Sequence, residues 1–154
     1  MNDTEWLSPE EQHSWRAFVR LNQKLTARLG SELQAQSKLS GADFSVLVAL
    51  TDDSSGRLRF QELAKTVDWE QSRLSHQIAR MTKRGLVARE ECAEDGRGAF
   101  VTITDQGREV IEAAAPKHVA TIRRLVLDSL PPEDFAALGA LAARVLDHLD
   151  KTES

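Results

Sequence analysis

The sequence predicts a mainly α-helical chain carrying one small β-hairpin. Apolar residues recur at spacings of three and four over several long stretches, the helical period. Between two of these, "VAREECAE" and "AFVTIT" alternate with a period of two around "DGRG", as two strands joined by a tight turn do. Helix-start signals, a Ser or Thr followed by Pro or acidic residues, open several of the helical stretches. With 154 residues, of which 41% are hydrophobic, the chain can bury a core and fits one domain, 1–154.

In "LSPEEQHSW", Ser8 is a helix N-cap, Pro9 stands at the first helical position, and Glu10 and Glu11 lie in the positive first turn. Trp15, Phe18, Leu21, Leu25 and Leu29 then form one stripe suited to burial against another helix, with Gly30 a local weak point. "LSGADFSVLVAL" is a second, shorter helix, "TDDSSGRLRF" a turn, and "FQELAKTV" a third helix. A fourth helix, 70–84, follows Asp68, and after "RGLV" comes the hairpin. "TDQGREVIEAAAPKHVATIRRLVLDSL" opens on a Thr or Asp cap and is helical, with a bend or break expected at Pro116. In "PPEDFAALGALAARVLDHL" a last stripe follows, made by Phe135, Leu138, Leu141 or Ala142, Val145 and Leu149.

The longest apolar run is "VLVAL" and the N-terminus is acidic and polar, so no membrane span or signal segment is expected and the protein is predicted to be cytoplasmic. The single cysteine, Cys92, excludes a disulfide within the chain and any multi-cysteine zinc site. His13, His76, His118 and His148 form no pair at metal-ligand spacing. Ser75 and His76 diverge by about 100° on a helix and lack any oxyanion loop, which argues against a hydrolase. The expectation is therefore no enzyme, no metal and no cofactor.

The fourth helix carries the chemistry. Leu74, Ile78 and Met81 give it a buried stripe. Ser72, His76 and Lys83 lie nearly opposite, flanked by Arg73 and Arg80 on one side and Ser75 on the other, with Gln77 at the boundary and Arg84 at the end. Such side chains reach base edges and phosphates in a major groove, and Ala79 permits close approach. A wet helix face is the plain alternative, and the charge distribution favours DNA. From Arg57 to Arg89 there are eight positive side chains (Arg57, Arg59, Lys65, Arg73, Arg80, Lys83, Arg84, Arg89) against Glu62, Asp68 and Glu70, a net +5 in a chain of net −4. The rest carries −9, so one basic region attracts a polyanion while the bulk acidity limits indiscriminate binding.

Helix, short turn, helix and hairpin in this order describe a winged helix-turn-helix. From about residue 40 to 112 the chain resembles the MarR family of bacterial transcriptional regulators, through "ELAKTV", "SRLSHQIARM", "KRGLVAR", "DGRG" and "VTITDQG" in sequence. The resemblance implies a DNA-binding lobe over 40–112 and dimerisation helices over 8–36 and 113–150, joining two copies into a homodimer. It implies a repressor that places helix 70–84 of each subunit in successive major grooves of a pseudo-palindromic operator in double-stranded DNA. Ser72, Arg73, Ser75, His76, Gln77, Arg80, Lys83 and Arg84 are the expected contacts on that helix. At the wing tip Gly96 and Gly98 flank Arg97, which the resemblance sends into the minor groove, with Asp95 orienting it. Glu90, Glu91 and Glu94 depart from an ideal wing. Members of the family also bind small aromatic effectors, for which Trp6, Trp15, Phe18 and Trp69 are candidates, with core packing as the plainer role. Cys92 is read as incidental. The rival reading is a winged-helix module whose basic face meets an acidic protein.

Overall fold

The structure is a computed structural model that describes residues 3–91 and 98–153. Cys92, Asp95 and Arg97, and with them the expected wing tip, lie outside the described residues. The elements are α1 (Pro9–Ser37), α2 (Gly41–Asp52), β1 (Arg57–Arg59), α3 (Phe60–Val67), α4 (Gln71–Lys83), β2 (Val87–Glu90), β3 (Phe100–Ile103), α5 (Asp105–Leu125), one 3-10 turn (Leu127–Ser129) and α6 (Pro132–Thr152).

Local chemistry sets most of the boundaries. Ser8 accepts from the Glu11 amide at 3.1 Å while the Glu11 carboxylate accepts from the Ser8 amide at 2.8 Å, so two of the four amides left over at a helix start are satisfied. Ser40 and Asp43 repeat this box at the start of α2, at 3.0 and 2.9 Å. α1 ends at Lys38 and α3 at Asp68, both left-handed, with φ of 54° and 58°. Gly30 does not interrupt α1. At the start of α5 Thr104 is the cap: its hydroxyl accepts from the Gly107 amide at 3.0 Å and donates to the Gly85 carbonyl at 2.6 Å.

Of the bend or break expected at Pro116, the break is absent: α5 runs on through the proline. The proline lacks the amide that would donate to the Glu112 carbonyl, one bond lost in a helix of 21 residues. The stretch read as a turn, "TDDSSGRLRF", contains a strand: β1 pairs antiparallel with β3, Arg57 opposite Thr102 and Arg59 opposite Phe100, and the sheet order is β1-β3-β2. The expected hairpin is present as β2 against β3, with Ala88 opposite Thr102 and Glu90 opposite Phe100.

The described residues divide into two compact units that meet between His118 and Val119. The core lies in the first: Leu39 from the α1–α2 junction, Val46, Leu47 and Leu50 from α2, Leu63 from α3, Leu74, Ile78 and Met81 from α4, and Val87 and Val101 from the sheet, all buried. With Ile111 and Ala114 of α5 also buried there, four helices and a small sheet enclose one apolar centre and leave the outer side of α4 free. In the second unit, α6 buries none of its residues: Phe135, Leu138, Leu141, Val145 and Leu149 are all exposed. Trp15, Phe18 and Leu21 on α1 are exposed as well. Among the described residues no helix is long and apolar enough to cross a membrane.

Candidate nucleic-acid interface

α3 and α4 are joined by three residues, Asp68 to Glu70, and the left-handed Asp68 makes so short a turn possible. Asp tolerates this conformation better than most residues with a Cβ. The Trp69 amide then closes the turn on the Ala64 carbonyl at 3.0 Å. α4 leaves it with Leu74, Ile78 and Met81 pinned in the core at 0–1% exposure, which fixes the roll of the helix about its axis. The rest of its surface follows. Ser72, Arg73, His76, Arg80 and Lys83 are exposed and Ser75 is half-buried, so these six residues occupy the face expected of them.

Gln77 and Arg84 are placed differently. Gln77 is only 4% exposed, and its amide nitrogen donates to Asp43 at 2.6 Å while its carbonyl oxygen accepts from Arg80 at 2.8 Å. Arg84 follows the last helical residue and turns back: one guanidinium nitrogen meets Asp43 at 2.6 Å and another the carbonyl of Lys38 at 2.6 Å. Both side chains are engaged with the α1–α2 junction and not with the open face. The reason is Asp43, a carboxylate on the buried side of α2 that requires donors from its neighbours. Burial pushes the Asp43 carboxyl up, but the Ser40 amide and the Arg84 guanidinium outweigh it and hold the group below its ordinary value.

The sheet adds cations that the sequence did not single out as contacts. The guanidinium of Arg57 lies 3.7 Å and that of Arg59 4.5 Å from the centre of the Phe100 ring, while Arg89 lies 5.2 Å from that of Phe60. Stacking of this kind confines a long, flexible cation to one region. Arg73 is similarly set over Trp69 at 4.4 Å. Gln71, Ser72 and Ser75 of α4 share an open groove with Phe60, Gln61, Arg89, Gly98 and Ala99. The acids that compromise the wing are partly matched, Glu90 by Arg57 at 2.9 Å and Glu91 by Arg89 at 3.2 Å. A three-residue strand is too short to show period two, which is why Arg57 and Arg59 gave no signal; the basic count over 57–89 was the only trace of them.

The aromatic candidates are not drawn into one pocket. Trp15 and Phe18 pair on α1 at 5.7 Å and stay exposed, Trp6 is exposed, and Trp69 sits under Arg73 at the α3–α4 turn. Among the described residues no group of His, Cys, Asp and Glu is arranged to hold a metal ion.

A family model described as the transcriptional regulator SarA/Rot matches residues 28–114, from the last third of α1 to the first half of α5, and so takes in α3, α4 and the sheet. AbsC, a MarR family transcriptional regulator from Streptomyces coelicolor, is 39% identical over 96% of this chain and 99% of its own, with a TM-score of 0.90. A second MarR family regulator from the same organism, solved in complex with DNA, is 40% identical over 94% of both chains, with a TM-score of 0.89. BpsR of Bordetella bronchiseptica, whose DNA binding is regulated by 6-hydroxynicotinic acid, is 27% identical over 84% of this chain and 92% of its own, at a TM-score of 0.70. The ordered helix-turn-helix and sheet, matched over nearly the full length at this identity, place the chain in the MarR family of winged helix-turn-helix transcriptional regulators.

Proposed function

We propose that the protein is a sequence-specific, double-stranded-DNA-binding transcriptional regulator that acts as a homodimeric repressor on a pseudo-palindromic operator. The observation that carries this reading is the outer face of α4, where Ser72, Arg73, His76, Arg80 and Lys83 stand exposed above a fully buried Leu74, Ile78 and Met81. A helix about 10–12 Å across enters a major groove about 12 Å wide. In that position Arg73, Ser75, His76 and Arg80 meet base edges, and Ser72 and Lys83 meet the backbone that sets the register. Arg57, Arg59 and Arg89 add a positive flank beside it. Asp95 and Arg97 remain the wing-tip pair, with Arg97 in the minor groove.

Residues 40–112 form the DNA-binding lobe, and 8–36 and 113–150 join the two copies. The exposed apolar stripes of α1 and α6 support the dimer, since a side chain such as Leu or Val withdrawn from water contributes about 1.5–3 kcal/mol. A small aromatic effector that releases the operator completes the reading, supported by the ligand-regulated DNA binding of BpsR.

The experiment is selection of bound duplexes from a random pool at two salt concentrations, because phosphate contacts make affinity steeply salt-dependent. An inverted repeat is expected, with half-site centres roughly 10 bp apart or a multiple of that. No enrichment at either salt would assign the basic face to an acidic protein partner instead.

A further inference from the structure

Gln77 stands out on α4 because it is polar and yet buried. A buried primary amide is costly unless both its ends are satisfied, and here each end has one partner: Asp43 at the nitrogen and Arg80 at the oxygen. The two partners are unlike in kind. An ionised carboxylate only accepts, so Asp43 admits the NH2 end of Gln77 and rejects the oxygen. The oxygen must then point the other way, along α4 towards the guanidinium three residues on. Asp43 is itself immobilised by the Ser40 amide at 2.9 Å and by Arg84 at 2.6 Å, and Arg84 in turn by the Lys38 carbonyl. A continuous set of hydrogen bonds therefore runs from a buried carboxylate to an exposed arginine.

We propose that Gln77, oriented by Asp43, is a positioning residue for Arg80: it fixes the guanidinium in the attitude in which that arginine reads a base. The inference rests on the DNA-binding reading above. An arginine has five N–H donors in a rigid fork, and one of them held by Gln77 leaves the others aimed outward without rotational search. Ordering the side chain before DNA arrives removes an entropic cost that would otherwise be met on binding, and it penalises a base pair whose acceptors do not meet the fork. Gln77 itself touches no DNA, and it accordingly influences selectivity at one base pair only.

The test is a binding profile over every single-base variant of the selected operator, measured for the wild-type protein, Arg80→Ala, Gln77→Met and the double variant, each checked for folding by thermal melting. Arg80→Ala is expected to reduce discrimination at one base pair in each half-site by about tenfold. Gln77→Met should reduce discrimination at that same pair, and the double variant should lose no more than Arg80→Ala alone. If Gln77→Met does not fold, Asp43→Asn serves instead, because an amide at 43 both donates and accepts, lets Gln77 turn over, and must relax the same base pair. If Arg80→Ala leaves base preference intact, the reading of Arg80 as a base contact fails and the inference with it. If Arg80→Ala relaxes one pair while Gln77→Met lowers affinity equally on all sequences, or adds to the loss in the double variant, the positioning role is overturned and the DNA-binding reading stands.

Discussion

Two residues in the first unit tie its stability to pH. Asp43 is held below its ordinary value of 3.8 because the Ser40 amide and Arg84 outweigh the effect of burial. His118, packed against Phe44 with ring centres 4.3 Å apart, is lowered from 6.5 by burial, which disfavours the imidazolium. Both shifts are downward, so in each case the unfolded chain takes up the proton first. The stability that neutral His118 supplies is complete above 6.5 and is lost as pH falls below it. The share from ionised Asp43 is complete above 3.8 and is lost as pH falls through its lower folded value. Thermal melting across this range should show two losses on acidification. His118→Phe should abolish the first and Asp43→Asn the second; an unchanged upper step in His118→Phe would place the sensitive group elsewhere. None of this was legible in the sequence: Asp43 and Gln77 are 34 residues apart, and a helical wheel that leaves Gln77 on its boundary cannot show which neighbour will claim it.

At the scale of the elements, the sequence was a good guide wherever a boundary depends on adjacent residues. The capping box at Ser8 forms from residues three apart, and α1 starts at the Pro9 that its cap foretold, while α3 and α4 start within a residue of the stretches read as helical and α2 within two. It was a poor guide where distant segments decide. β1 exists because β3 offers it a partner more than 40 residues along the chain, and Pro116 remains inside α5 because the helix on both sides outweighs one lost hydrogen bond. The junction between the sheet and α5 offers a test. Gly107 lies in the first turn of α5, where alanine is intrinsically preferred by up to about 1 kcal/mol. A Cβ at that position would run into the Leu86 carbonyl oxygen and Cγ1 of Ile103. Overpacking of this kind costs about 1–3 kcal/mol, more than the propensity gain. Gly107→Ala should therefore lower the midpoint of urea unfolding, and a raised midpoint would show that the junction yields.

For the molecule as a whole, charge and apolar pattern point the same way. A chain of net −4 carries a net +5 over residues 57–89, where Arg57, Arg59 and Arg89 stand on the sheet and Arg73, Arg80 and Lys83 on α4, with Arg89 lining the open groove beside Ser72 and Ser75. The stripes of α1 and α6 were legible as helical faces, while the periodicity of a single chain says nothing of what covers them. A second copy is the expected cover. Sedimentation should give twice the 17.1 kDa chain mass, and Val145→Asp, which sets a charge on the exposed stripe of α6, should shift the protein towards monomer and weaken operator binding. An unchanged mass in Val145→Asp would move the dimer interface away from that face. Guanine methylation interference on the selected operator asks whether the outer face of α4 reads bases in the major groove, because the added methyl sits on N7, in that groove. Methylated guanines within each half-site should block the wild-type protein, and Arg80→Ala should become indifferent to one of them in each half-site. If N7 methylation has no effect anywhere in the operator, or if interference comes only from adenine N3 in the minor groove, α4 is not the reading element.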